Sequence, residues 1–106
     1  MNACQAARAA NLLSIVANQS RLQMIKIMLK NDVSVGELAN MTGLSSSATS
    51  QHLSLMKNMN ILVQRRQNTT QYCSINLLFA DFFLRLILVT ELQAAVFDAS
   101  QPAAVP

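Results

Sequence analysis

The chain has 106 residues, of which 52% are hydrophobic and only 12% charged, with a net charge of +3. So short and apolar a chain suggests one domain that buries part of its surface against a second copy. It contains no run of about eighteen apolar residues to cross a bilayer, no convincing signal peptide in "MNACQAARAANLLSIV" and, with two cysteines, no disulfide framework, so the expected location is the cytoplasm.

Residues 3–17 are rich in Ala and Leu and predict a first helix, with Leu12, Leu13, Ile15 and Val16 on its apolar side. Asn18 to Ser20 breaks it. Ser20 can cap a second helix, "RLQMIKIMLK", in which Leu22, Ile25 and Leu29 recur at helical spacing, and Asn31 and Asp32 end it. Ser34 stands three residues before Glu37, the spacing of a capping box. A short third helix follows, with Leu38 and Met41 expected inward and Gly43 as its left-handed stop.

Ser45 or Ser46 caps a fourth helix that runs to about Met59. At roughly 100° per residue, His52, Leu55, Met56 and Met59 share an apolar stripe, and Ser47, Ser50, Gln51 and Ser54 lie on the other side. Asn60 can take the left-handed conformation that stops this helix. "ILVQRRQ" and "TQYCSI" are β-favouring runs around a polar turn at Asn68 and Thr69, which predicts a hairpin. From Asn76 to about Asp98 the chain reads as one long helix, apolar nearly all round, with Asp81 and Arg85 spaced to pair. A helix of that kind needs cover on most sides, and one small domain offers one side. The ending "SQPAAVP" reads as a disordered tail. The expected organisation is a domain over residues 1–99 and a tail over 100–106.

A short helix, a Gly-containing turn and a second helix make a helix-turn-helix, and the hairpin makes it winged. The second helix of such a unit enters the major groove through its N-terminal residues. Short hydroxyl and amide side chains there allow close approach and can bond to phosphates or base edges. No acid occurs between Glu37 and Asp81, whereas Lys57, Arg65 and Arg66 do, a layout that suits a polyanion. The candidate DNA-binding residues are Ser46, Ser47, Ser50, Gln51 and His52 on the helix, and Arg65, Arg66, Asn68 and Thr69 on the hairpin.

The segment "VGELANMTGLSSSATSQHLSLMK", with "RR" and "YCSI" in the hairpin, resembles the ArsR/SmtB family of bacterial winged-helix repressors. Within it, the chain is most similar to the branch that senses sulfur species and oxidants through thiols. The resemblance implies a mainly α winged helix-turn-helix with a two-stranded wing. It implies a homodimer through the first and last helices, where Leu12, Leu13, Val16, Phe79, Phe83, Leu86 and Ile87 are the candidate interface residues. It also implies repression by binding an operator, expected to be an inverted repeat. Ser47, Ser50, Gln51 and His52 match the recognition helix, and Arg65 and Arg66 the basic pair of the wing. Ser46 stands where many members have Gln, Asn60 where Gly is usual, and Cys73 where a second aromatic is common.

The family's metal sites do not carry over: "VGELAN" has no Cys-x-Cys pair, and the last helix has no His. With one His and two Cys in the chain, neither a metal nor another cofactor is expected. The thiol-sensing branch has cysteines in its second and last helices, and this chain has none in either. Cys4 and Cys73 are therefore either packing and chance residues or a redox pair; a switch, if there is one, is expected to be thiol-based. His52 either packs inside or meets DNA. Two rival functions remain. One is a winged-helix interaction or dimerisation module with no DNA role. The other, an enzyme, finds no paired carboxylates in a plausible site and no Gly-rich phosphate loop.

Overall fold

The structure, a computed structural model, describes residues 1–100; of the expected tail, 101–106 lie outside the described residues. The elements in chain order are α1 (Ala3–Val16), α2 (Gln19–Lys30), β1 (Val33–Ser34), α3 (Val35–Thr42), α4 (Ser46–Asn58), β2 (Leu62–Gln67), β3 (Thr70–Ile75) and α5 (Leu77–Ser100). The helix-turn-helix is α3–α4 and the wing is β2–β3. The wing is two-stranded, as expected, and β1 pairs with its second strand to complete a three-stranded antiparallel sheet ordered β1-β3-β2. In it, Val33 pairs with Cys73 and Ser34 with Tyr72. A two-residue strand is too short to show a period of its own, so only its distant partner defines it.

Local chemistry sets the helix ends. Ser34 and Glu37 make both bonds of the capping box, and Gly43 closes α3 at φ +73°. Ser45 caps α4 by accepting from the Ala48 N–H. Asn18, not Ser20, caps α2: its side chain accepts from the Arg21 N–H. Asn60 and Asn68 take positive φ of 59° and 58°, a conformation that Asn tolerates better than most residues. Asn60 lets the chain leave α4 for β2, and Asn68 forms the hairpin tip.

The core joins Met24, Ile25 and Met28 of α2 to Leu38 of α3, Leu53 and Met56 of α4, Ile61, Leu62 and Cys73 of the sheet region, and Phe83 of α5. Two helices sit rotated from their expected faces. Met41 is 62% exposed, and α3 buries Leu38 and Ala39 instead. In α4 the buried stripe is Thr49, Leu53 and Met56, while Leu55 turns outward. Thr49 can sit inside because its Oγ1 donates to the Ser45 carbonyl at 2.8 Å. With its hydroxyl satisfied, it packs as a branched apolar residue.

The candidate interface residues divide. Val16 and Phe83 belong to the core of the protomer, a correction to their expected place between subunits. Leu12, Phe79 and Leu86 pack partly against that core, Ile87 is half-buried, and Leu13 is exposed. Beyond this one packed side, α5 shows Leu78, Phe82, Leu88, Val89, Leu92 and Val96 to the outside. Asp81 and Arg85 pair at 2.8 Å, as their spacing predicts.

Candidate DNA-binding surface

The turn Gly43–Leu44 and the cap at Ser45 aim the start of α4 away from the core. Ser46, Ser47, Ser50 and Gln51 are exposed there. Among the described residues, none of these four side chains hydrogen-bonds within the chain. Ser54 and Lys57 continue the exposed side further along α4. The helix start adds N–H groups and the positive end of the helix dipole, both favourable to an anion. The surface thus offers unengaged hydroxyls and an amide, with no carboxylate on α4, β2 or β3.

α4 leads into the wing through Asn60 and Ile61, whose N–H groups bond back to the carbonyls of Lys57 and Met56. The two wing arginines sit in different settings. Arg66 is exposed, and its Nε makes one long contact, 3.5 Å, to Gln71 Oε1. Arg65 is held by the fold. It donates from Nη2 to Asp32 Oδ2 at 2.9 Å and from Nη1 to Gln67 Oε1 at 3.0 Å. Its guanidinium also lies 5.4 Å from the centroid of the Tyr72 ring. Both members of the Arg65–Asp32 pair are about half exposed, so it adds little stability; it orients Arg65 and offsets its charge. Asn68 and Thr69 form the exposed tip.

His52 is turned away from the exposed serines. Its Nδ1 accepts from Arg21 Nε at 3.2 Å, and Arg21 Nη1 donates to the Ile15 carbonyl at 2.9 Å. Sequence reasoning missed Arg21. A signal existed: a cation in the first turn of a helix opposes the helix dipole and calls for a compensating partner.

The two cysteines are separate. Cys4 is exposed on α1, and Cys73 is buried, both as free thiols. Cys73 lies in the central strand and accepts a weak bond from Gln64 Nε2 at 3.7 Å. Burial pushes its thiol pKa up, against smaller lowering by Gln64 and Lys57, which leaves less of the reactive thiolate. In the native protein a thiol reagent such as Ellman's should therefore titrate Cys4 promptly and Cys73 only on denaturation. Two prompt thiols would show that Cys73 is reachable. Among the described residues, no three His, Cys, Asp or Glu side chains converge to hold a metal, and no helix is long and apolar enough to cross a membrane.

Residues 18–63 match the family described as "Bacterial regulatory protein, arsR family", a span from α2 to the start of β2. The nodulation protein NolR of Rhizobium meliloti is 44% identical over 66 residues, covering 62% of this chain and 54% of that protein. The chain thus spans about half the length of that relative. The structure of HlyU from Vibrio cholerae is 31% identical at a TM-score of 0.76, covering 84% of this chain and 97% of that one. The homodimeric winged helix-turn-helix DNA-binding domain of Mb0332 from Mycobacterium bovis superimposes at a TM-score of 0.78 with 26% identity, covering 84% and 83%.

Proposed function

Because this chain belongs to the arsR family of bacterial regulatory proteins, we propose that it is a sequence-specific DNA-binding transcriptional repressor. It acts as a homodimer on an inverted-repeat operator, with the chromosome in the cytoplasm. The observation that carries this reading is the start of α4: four exposed, unengaged polar side chains at the positive end of a helix, next to an acid-free wing. Two such helices related by a two-fold axis would enter successive major grooves one helical turn apart. The exposed apolar surface of α5, together with α1, supplies the dimer contact.

The roles within the site differ. Ser47, Ser50 and Gln51 read base edges, and Ser46 and the helix N-terminus meet a phosphate. Arg66 binds a flanking phosphate, with Asn68 and Thr69 close to the backbone. Arg65, already held by Asp32, mainly shapes the wing. Cys73 serves packing, so any thiol chemistry begins at Cys4.

The test separates affinity from selectivity. Arg66→Ala should weaken binding to all duplexes and make the salt dependence shallower by about one unit of slope for a lost phosphate contact. Arg65→Ala should change that slope less. Gln51→Ala should cost roughly 1–3 kcal/mol of discrimination between the operator and a scrambled duplex, the worth of a bidentate base contact. Equal losses on both duplexes for Gln51→Ala would remove its reading role.

A further inference from the structure

We infer that Arg21 is a positioning residue for DNA recognition: its guanidinium bridges α1 to His52 and so sets the rotation of α4. The inference rests on the DNA-binding reading above. Three hydrogen bonds define the bridge. The Asn18 side chain accepts from the Arg21 backbone N–H at 3.0 Å, which fixes Arg21 in the first turn of α2. Nη1 donates to the Ile15 carbonyl at 2.9 Å. That carbonyl belongs to the last turn of α1, where helix carbonyls lack partners within the helix and a cation is favourable. Nε donates to His52 Nδ1 at 3.2 Å. One planar fork thus joins the end of α1 to the middle of α4, and its donor geometry is fixed by the guanidinium plane.

The placement on α4 gives the bridge its consequence. His52 directly follows Gln51, and Ser50 and Gln51 are exposed while Leu53 is buried. Leu53 and Met56 hold α4 to the core by apolar contact, which is non-directional. The Arg21–His52 bond is directional, and it lies on the flank between the core face and the exposed face. It therefore resists rotation of the helix about its axis, the movement that would carry Ser47, Ser50 and Gln51 off their base edges. Its other end is on α1, one of the two helices proposed to form the dimer, so the seating of α1 and the aim of α4 share one side chain.

The bond also carries its own readout. His52 takes part as the acceptor, through Nδ1, so a side chain that offers an acceptor at that place keeps the bond and an apolar one removes it. No carboxylate among the described residues bonds to His52, so the guanidinium of Arg21 is its partner in the fold.

The experiment measures affinity for an inverted-repeat duplex selected by the wild-type protein from a random library, with a scrambled duplex beside it. Arg21→Met should bind the selected duplex roughly tenfold more weakly, the scale of one lost hydrogen bond to a charged group, and the scrambled duplex should fall less. His52→Asn keeps an acceptor near the Nδ1 position and should hold most of the wild-type selectivity, whereas His52→Leu, which offers no acceptor, should lose as much as Arg21→Met. The two changes combined should lose no more than either alone, since both remove the same bond. Should Arg21→Met fail to fold, the contrast between His52→Asn and His52→Leu still decides. Equal losses on both duplexes, or a His52→Leu variant as selective as the wild type, overturns the bridge alone. A wild-type protein that selects no duplex overturns the DNA-binding reading and the bridge with it.

Discussion

Val89→Glu combined with Val96→Glu should convert the protein to monomers and lower its operator affinity at least about a hundredfold, the scale of advantage lost when two linked half-sites bind separately. At roughly 100° per residue, Leu78, Phe82, Val89, Leu92 and Val96 fall along one side of α5. Each is at least 44% exposed in the protomer. Fully burying one such side chain is worth about 1.5–3 kcal/mol, so five of them leave a large apolar surface for a second copy to cover. A two-fold interface doubles every substitution, so the double variant places four carboxylates in that contact. Burying even one unpaired charge costs several kcal/mol. Val89 and Val96 lie outside the protomer core, so the variant should keep its helical content. Sedimentation and operator titration check the expectation. A wild-type protein that sediments as a folded monomer at micromolar concentration, or a double variant that remains a dimer, would defeat the dimer assignment.

Phe83→Ala should destabilise the fold itself, by about 3–5 kcal/mol. Its side chain is 1% exposed, its ring centroid is 6.2 Å from that of Phe79 in a stacked arrangement, and 5.3 Å from that of Phe82 edge-on. It is the residue that plugs α5 into the core built by α2, α3 and α4. Removing the ring leaves a cavity that the surrounding packed helices close only in part. Against a total stability of about 5–15 kcal/mol for a domain, the loss is large. Urea unfolding at fixed protein concentration should show it as an earlier midpoint, with Phe83→Leu recovering part of the difference. A shift worth less than about 1 kcal/mol would show that Phe83 does not anchor α5 to the core.

The helix ends were legible because they depend on residues within a few positions of one another. Ser34 with Glu37, Gly43, Ser45, Asn60, and Asp81 with Arg85 all act within one turn of helix, and all take the expected roles. The exposure of Ser47, Ser50 and Gln51 was legible too, because a polar face needs no partner to declare itself. Ser20 misled because Asn18, two residues earlier, offers an equally good cap.

Which side of a helix is buried is a different matter, since apolar residues mark a broad stripe and the packing partners choose its centre. Leu55 and Met41 had the right chemistry for the inside, yet Thr49 and Ala39 hold the buried positions. Thr49 can do so only because the Ser45 carbonyl takes its hydroxyl proton. Phe83 looked like its exposed neighbours on α5 because a helix apolar all round carries no mark of which side meets its own core. The wing is a further case. Along the chain, Arg65 and Arg66 are an identical pair in an acid-free segment, and only the fold brings Asp32 to 2.9 Å of Arg65, while among the described residues no acid pairs with Arg66. His52 likewise gains Arg21 from 31 residues away. Caps, turns, element order and the polar face of α4 were determined by the sequence, through interactions that close within a turn. The third strand, the rotation of α3 and α4, the separate roles of the two arginines and the partner of His52 were decided by the tertiary structure, because each depends on groups that meet only after the chain has folded.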